Sequence, residues 1–166
     1  MANVEKVIYL SLGSNVADRL ANLRSAIAAL PQAGVRVTCV SSIYETQPVD
    51  FLDQAWFLNC VVAGETKSPP LELLTSLHAI ETALGSKKEF AKGPRLLDID
   101  ILLYGDDTIA MPELKIPHPR LTQRRFVLVP LNEVAPRLRH SQWSGTVSQL
   151  LAATLDQSEV NRLPAS

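Results

Sequence analysis

The chain has 166 residues, of which 46% are hydrophobic and 20% are charged, and its formal net charge is −1. These values are typical of one globular domain, so we expect a single monomeric domain over residues 1–166. A nearly neutral chain excludes bulk electrostatic attraction, and we expect neither nucleic acid nor a membrane as a partner. No apolar run reaches ~18 residues, and Cys39 and Cys60 lack metal-ligand spacing, which predicts reduced core thiols in a cytoplasmic protein.

The first half of the chain predicts a strand, a helix and two further strands. The first strand covers residues 4–12, and apolar residues at three- and four-residue spacing predict a helix over residues 18–30. Branched and aromatic residues predict strands over residues 35–44 and 57–65. Between these strands, residues 46–55 are predicted to form a loop, because a proline and two aspartates break both periods.

The second half repeats the helix and strand. Two prolines at 69 and 70 open a helix that Gly85 ends, and a strand follows over residues 97–103. The order strand-helix-strand-strand-helix-strand predicts an α+β fold with a ferredoxin-like βαββαβ core, in which helices flank a mostly antiparallel sheet. The remaining residues predict a hairpin and two helices, at 108–109 with 115–116, at 131–134 and at 147–155.

Two acidic residues share one face of the predicted strand over residues 97–103. Because side chains alternate between faces, the apolar residues of this strand point to the core while Asp98 and Asp100 point away, with Cα atoms roughly 7 Å apart. Neighbouring carboxylates repel unless a cation lies between them, and Mg²⁺ takes few protein oxygens with phosphates as further ligands. The alternative is a strand face that meets only water, although Asp is a poor strand former.

The segment 93–102, Gly-Pro-Arg-Leu-Leu-Asp-Ile-Asp-Ile-Leu, resembles the signature of the 6-hydroxymethyl-7,8-dihydropterin pyrophosphokinase family of folate biosynthesis. The resemblance extends over nearly the whole chain. Further matching segments are residues 13–15, 41–46, 57–59, 80–81, 117–120 and 124–126. It implies transfer of diphosphate from ATP, the co-substrate, to the hydroxymethyl group of the pterin, with AMP as the second product and two Mg²⁺ ions as cofactor.

The resemblance also implies roles for individual residues. Asp98 and Asp100 would hold the metal, and Arg95 beside them is a fork donor suited to phosphate, so all three are predicted to be catalytic. Arg95 is also expected to bind ATP together with His78, Glu81, Lys88, Ile101, His118 and Arg124. A pterin is a flat ring that stacks well between aromatic side chains. The residues expected to bind it are Thr46, Gln47, Val49, Phe57, Asn59 and Phe126.

Several of these residues also have plainer interpretations. Lys87, Lys88 and Lys92 fit a solvated loop face, and Phe57 and Phe126 fit an ordinary core. Two other functions remain open: a magnesium-dependent phosphotransferase acting on a different flat heterocycle, and a ferredoxin-like module that senses a ligand without catalysis. Formation of AMP from ATP with the pterin, but not without it, separates the three.

Overall fold

The computed structural model describes residues 4–49, 52–85 and 96–164. In these ranges the elements are, in chain order, β1 (Lys6–Ser14), α1 (Arg19–Ala29), β2 (Val35–Val40), β3 (Tyr44–Thr46), β4 (Phe57–Thr66), α2 (Pro70–Ala83), β5 (Asp98–Tyr104), β6 (Ile109–Ala110), β7 (Lys115–Ile116), α3 (Arg125–Val134), α4 (Val147–Ala153) and β8 (Val160–Arg162). No helix among these residues is both long and apolar enough to cross a membrane.

The main sheet has the strand order β5-β1-β4-β3-β8, and β2 pairs with β4 beside β3. Neighbouring strands are antiparallel at every one of these pairings. Strands β2 and β3 occupy the same position in the sheet, so the sheet has four main positions, in the order β5, β1, β4, and β2 with β3. This is the strand order of a ferredoxin-like fold, and β8 is added at its edge. The predicted fold class is therefore confirmed.

One face of the sheet is apolar and is covered by α1 and α2. Strand residues Leu12, Leu58 and Ile99 are each at most 3% exposed, and they pack in one cluster with Leu23 of α1 and Leu77 of α2. Alternate residues of the predicted fourth strand point into this core as expected. Those residues are Leu97, Ile99 and Ile101, all at most 3% exposed. The prediction that Leu103 shares this face is wrong, because a register shift between β1 and β5 pairs Leu103 with Tyr9, and Tyr104 joins the core cluster instead.

The opposite face is covered by α3 and α4 over only part of its length. Val61 of β4 and Leu102 of β5 are buried there against Val127, Leu131 and Val147 of the two helices. Farther along the same face, toward the start of β4 and of β5, the sheet borders a cavity. The fold thus leaves one end of one face accessible.

The prediction of a single strand over residues 35–44 is wrong, because β2 ends at Val40 and β3 begins at Tyr44. Side chains take over the backbone hydrogen bonds at this interruption. The Oγ atom of Ser41 accepts a hydrogen bond from the Val61 amide at 2.9 Å, and a carboxylate oxygen of Glu133 accepts one from the Ser42 amide at 3.0 Å. These polar partners allow the chain to leave β4 and rejoin it.

Two further expectations need correction, and one strand was missed. Helix α3 begins at Arg125, six residues before the predicted start at residue 131, and β8 was not predicted. Cys60 is fully buried as expected, whereas Cys39 is exposed, because it follows a register shift on β2, which pairs with β4 alone. Both thiols are free.

Candidate active site

Three adjacent strands place polar and small residues side by side on the open face. Asp98 of β5 lies opposite Gly13 of β1, which in turn lies opposite Asn59 of β4. One step along, Asp100 lies opposite Ser11. Directly opposed residues of antiparallel strands point to the same face, so Asp98, Gly13 and Asn59 form one row across the sheet, and Asp100 and Ser11 belong to the next row on that face.

A cavity of about 160 Å³ opens over these residues. Space for one water-sized sphere is roughly 10–15 Å³, so the cavity has room for a small flat ring. Asp98 and Asp100 line one side of it, and Arg124 reaches it from the start of α3. Every residue predicted to bind the pterin lines this cavity: Thr46, Gln47, Val49, Phe57, Asn59 and Phe126.

The Asn59 amide is buried, with 4% of the residue exposed. Its Oδ1 atom accepts a hydrogen bond from the Thr46 hydroxyl at 2.5 Å, and its Nδ2 atom makes a long hydrogen bond of 3.4 Å to the Leu12 carbonyl oxygen. A Cβ atom on Gly13 would lie only 2.6 Å from Nδ2. Glycine is therefore required at this position for the amide to lie where it does.

A second, more open cavity of about 360 Å³ lies on the other side of the acidic pair. It also contains Asp98 and Asp100. Four of the residues predicted to bind ATP line it: His78, Glu81, Ile101 and His118. The acidic pair is thus shared by two cavities, one lined by the predicted pterin residues and one by predicted nucleotide residues.

Glu81 has a structural contact that sequence reasoning did not anticipate. It is 8% exposed, and its Oε2 atom accepts a hydrogen bond from the Ile99 amide at 2.7 Å. Among the described residues β5 is an edge strand of the main sheet, so this amide faces outward and none of those residues pairs with it as a strand on that side. Glu81 therefore fixes the backbone between Asp98 and Asp100 to α2.

His118 lies near both Asp98 and Arg124. Burial lowers the pKa of the His118 imidazole, and the charges of Arg124 and Arg120 lower it further against the opposing effect of Asp98. The Arg120 amide donates a long hydrogen bond of 3.4 Å to Nδ1, which makes Nε2 the protonated nitrogen. The amide of His118 itself donates to the Leu102 carbonyl oxygen at 3.0 Å, which anchors the loop to β5. At neutral pH this side chain is a hydrogen-bond donor without charge.

The start of α3 presents a cation over an aromatic ring. The Arg124 guanidinium carbon lies 5.6 Å from the centre of the Phe126 ring, which is a cation–π contact. Both side chains line the first cavity. Helix α3 thereby places an aromatic surface and a guanidinium group next to each other.

The loop that follows β3 is held by the turn after β1. The Asn15 side-chain amide donates hydrogen bonds of 2.9 Å to Gln54 Oε1 and to the Ala55 carbonyl oxygen. Gln54 lines the first cavity but was not among the predicted residues, and neither were Ser11, Gly13 and Pro48. Strand alternation together with the pairing of β1 and β5 would have identified Ser11 and Gly13, because both residues lie directly opposite the acidic pair on the same face.

Two predicted residues, Arg95 and Lys88, lie outside the described residues, as do Lys87 and Lys92. Among the residues that the structure does describe, no three His, Cys, Asp or Glu side chains cluster as a metal site. The acidic pair therefore supplies only two carboxylates. This donor set suits a hard cation with few protein ligands, such as Mg²⁺, and does not suit tetrahedral zinc.

Residues 9–136 match the family model for 7,8-dihydro-6-hydroxymethylpterin-pyrophosphokinase (HPPK). The chain belongs to this family. The 2-amino-4-hydroxy-6-hydroxymethyldihydropteridine pyrophosphokinase of Bacillus subtilis is 45% identical over 147 residues, which are 88% of this chain and 88% of that protein. The enzyme of the same name from Pseudomonas aeruginosa is 39% identical over 162 residues, 96% of this chain and 98% of the relative.

A solved structure extends the likeness to the fold. The crystal structure of wild-type Plasmodium falciparum HPPK-DHPS with pteroate matches with a TM-score of 0.74 at 18% identity, over 92% of this chain and 43% of that longer chain. The HPPK family members named above are pyrophosphokinases. The predicted function, diphosphate transfer from ATP to hydroxymethyldihydropterin in folate synthesis, is thereby confirmed at the level of the family.

Proposed function

We propose that the two substrates meet at Asp98 and Asp100, with the pterin in the first cavity and ATP in the second. The observation that carries this proposal is that both carboxylates line both cavities. A diphosphate that passes from one substrate to the other must cross the boundary between their sites. The acidic pair occupies that boundary.

The pterin lies between Phe57 and Phe126 in this proposal. Both rings line the first cavity, one from β4 and one from α3, so a flat ring would contact an aromatic face on each side. The Asn59 amide recognises the polar edge of the ring, because an amide both donates and accepts hydrogen bonds. Further contacts come from Thr46, Gln47 and Val49.

The nucleotide lies along the second cavity, with its phosphates directed to the acidic pair. Arg124 and His118 bind the phosphates, the first as a cation and the second as a neutral donor from Nε2. Arg95 has the same role from the segment before β5. The remaining ATP contacts are assigned to His78, Glu81, Lys88 and Ile101.

Magnesium dependence, with two ions, is part of the same proposal. Asp98 and Asp100 are the residues that would hold the metal, and both are only partly buried, as a metal that keeps waters and phosphate ligands requires. When bound there, Mg²⁺ would supply positive charge against the negative phosphates. Without a cation the two carboxylates and the polyphosphate would repel each other.

The transfer forms a bond between the pterin hydroxymethyl oxygen and the β-phosphorus of ATP. The bond from the β-phosphorus to the oxygen that bridges to the α-phosphorus breaks, and AMP leaves with that electron pair. The proton of the hydroxymethyl group is released to water. Such a reaction needs alignment and charge neutralisation more than covalent help from the protein. Phe57 and Phe126 align the acceptor, while Arg124 and His118 hold the donor.

Product analysis tests the proposal. Purified protein is incubated with ATP, Mg²⁺ and 6-hydroxymethyl-7,8-dihydropterin, and nucleotides are separated by chromatography. We expect AMP and the pterin diphosphate in equal amounts, and no AMP when the pterin or Mg²⁺ is omitted. ADP as the nucleotide product, or AMP formed equally well with an unrelated heterocycle, would contradict the proposal.

Some expectations from the sequence stay predictions. These are a single domain over residues 1–166, a monomeric state and a cytoplasmic location. The free thiols of Cys39 and Cys60 agree with a reducing compartment. Size-exclusion chromatography with light scattering measures the oligomeric state directly.

A further inference from the structure

The segment near the end of the chain, residues 154–162, contacts both walls of the first cavity from outside. We call it the C-terminal segment. It follows the matched family range of residues 9–136, so the family model assigns it no role. Of the described residues that line the first cavity, none belongs to this segment. The C-terminal segment can therefore affect the cavity only through the residues with which it forms hydrogen bonds.

The first wall is held at the start of α3. Arg124 occupies the N-cap position of this helix but makes no capping hydrogen bond with its side chain. Instead, Asp156 Oδ2 accepts a hydrogen bond from the Arg125 amide at 2.9 Å. A carboxylate at a helix N-terminus satisfies an otherwise unpaired amide and interacts well with the helix dipole. Phe126, the aromatic residue of this wall, is the next residue.

Asp156 is itself fixed by its neighbours. Its Oδ1 atom accepts hydrogen bonds from the amide and the hydroxyl of Ser158, at 2.9 and 2.5 Å. The Arg125 side chain returns to the same turn, where its Nε donates to the Ser158 carbonyl oxygen at 3.1 Å. Burial alone would raise the pKa of the Asp156 carboxyl, but these hydrogen bonds outweigh it and hold the pKa below its usual value. The carboxylate is thus charged and well oriented at neutral pH.

The second wall is held by β8. This strand pairs antiparallel with β3, and Val160 lies opposite Thr46. The Gln47 amide donates to the Glu159 carbonyl oxygen at 3.0 Å, and the Glu159 amide donates to Gln47 Oε1 at 3.2 Å. Thr46 and Gln47 both line the first cavity. One short stretch of chain therefore fastens the Thr46–Gln47 wall and the Phe126 wall.

We propose that Asp156 is a positioning residue for the pterin site, because it links the start of α3 to the strand that holds Thr46 and Gln47. The spacing between the Phe126 ring and the opposite wall then depends on a carboxylate that does not touch the substrate. This inference rests on the proposed function, since it takes the first cavity to be the pterin site.

The test compares three variants of the full-length protein. Asp156→Ala removes the carboxylate, and Asp156→Asn keeps an oxygen acceptor of the same shape without the charge. Glu159→Ala is the matched control, because Glu159 is exposed and contacts Gln47 through its backbone only. Calorimetry measures the Kd of 6-hydroxymethylpterin in the presence of Mg²⁺ and a non-hydrolysable ATP analogue, and separately the Kd of the analogue alone.

We expect Asp156→Ala to weaken pterin binding about tenfold, the scale of a lost helix cap, and Asp156→Asn to weaken it about threefold. Binding of the ATP analogue should change less than about twofold in all variants, and Glu159→Ala should match the wild type. Equal losses for both ligands would indicate a general structural defect and overturn the inference. Unchanged pterin binding in Asp156→Ala would overturn it as well.

A ligand-free measurement separates this inference from the proposed function. NMR spectra of the unliganded protein should show shifted Phe126 ring and Gln47 side-chain resonances in Asp156→Ala, and neither shift in Glu159→Ala. Wild-type protein that bound no pterin would overturn the proposed function, yet these spectra would still decide whether Asp156 links the two walls. Resonances that stay in place in Asp156→Ala would refute the link.

Discussion

The two faces of the central sheet use the same three strands for opposite purposes. On the covered face, Leu12, Leu58 and Ile99 are almost fully buried under α1 and α2. On the open face, the residues next to them in the chain are polar, small or, at Phe57, aromatic, and all of them line the first cavity. Since neighbouring residues point in opposite directions, the stability of each strand comes from one set and the chemistry from the other.

This separation explains how the sheet can carry two adjacent carboxylates. Asp98 and Asp100 contribute no apolar burial, and their mutual repulsion acts against folding. The strand remains in place because its alternate residues are buried and because Glu81 accepts a hydrogen bond from the Ile99 amide. Stability and function are therefore expected to respond separately to substitution on the two faces.

The largest effect is expected on the covered face. Leu10 is fully buried and lies opposite Val62 and Ile101. Leu10→Ala should lower the free energy of unfolding by about 2–5 kcal/mol, because it leaves a cavity in the core. Turnover per folded molecule should stay close to that of the wild type. Urea denaturation and steady-state kinetics on the same preparation measure both quantities, and a specific loss of turnover would break the separation.

The acidic pair should show the reverse behaviour. Under the proposed metal-binding role, Asp98→Asn and Asp100→Asn each remove one charged ligand with little change of shape, and turnover should fall at least about 100-fold, or ~2.7 kcal/mol of barrier. The melting temperature should be unchanged or slightly higher, because the repulsion is relieved. Asp107→Asn is the matched control, since Asp107 pairs with Lys6 at 3.2 Å and lines neither of the two cavities. Near-normal turnover of both Asp98→Asn and Asp100→Asn at saturating Mg²⁺ would contradict the assignment of these residues as metal ligands.

Phe126 tests whether the open face discriminates between the two substrates. Phe126→Ala should weaken pterin binding by about 1–3 kcal/mol, because a stacking surface is lost. Binding of an ATP analogue should change much less, since Phe126 lines only the first of the two cavities. Phe126→Leu keeps an apolar side chain, so its pterin affinity should lie between that of the wild type and that of Phe126→Ala. Calorimetry that found unchanged pterin affinity would assign Phe126 to the core.

The smallest effect concerns the polar contact between α3 and the interruption after β2. Burial alone would raise the pKa of Glu133, but hydrogen bonds from Tyr44 and Ser42 outweigh it and hold the pKa below the ordinary 4.5. A depressed carboxyl pKa stabilises the folded state above pH 4.5, and this contribution is lost as pH falls through the folded-state pKa. Because Glu133 is partly exposed, we expect about 1 kcal/mol or less.

Unfolding curves between pH 7 and pH 3 measure this contribution. Glu133→Gln should be less stable than the wild type at pH 7 and equally stable at the lowest pH. If the difference in unfolding free energy between Glu133→Gln and the wild type were constant from pH 7 to pH 3, hydrogen bonding without charge would account for the stabilising effect of Glu133. Turnover at pH 7 should be nearly unchanged, because Glu133 does not line either cavity.

The elements that sequence patterns predicted well are those whose cause is local. The alternation in β5 depends on adjacent residues, and it placed Ile99 and Ile101 in the core and Asp98 and Asp100 on the other face before any partner strand was known. The six residues that were predicted to bind the pterin, all of which line the first cavity, were found through family resemblance. Spacing alone could not have brought Thr46, Phe57 and Phe126 together.

The elements that were missed depend on partners far along the chain. The interruption after β2 is stabilised by Glu133, which is 91 residues from Ser42. Pro130 favours a late start for α3, yet the helix begins at Arg125 because Asp156, 31 residues away, accepts the hydrogen bond from its first amide. Local periodicity does not reveal such contacts.

The same contacts have a consequence for synthesis on the ribosome. A chain that has emerged only as far as residue 150 already contains the acidic pair, Phe57, Phe126 and all strands of the ferredoxin-like core. The amides of Gln47 and Arg125 then still lack their hydrogen-bond acceptors, because Glu159 and Asp156 have not yet emerged. Domains can begin to fold during translation. Here the walls of the first cavity acquire these hydrogen bonds only after residues 156–159 have emerged.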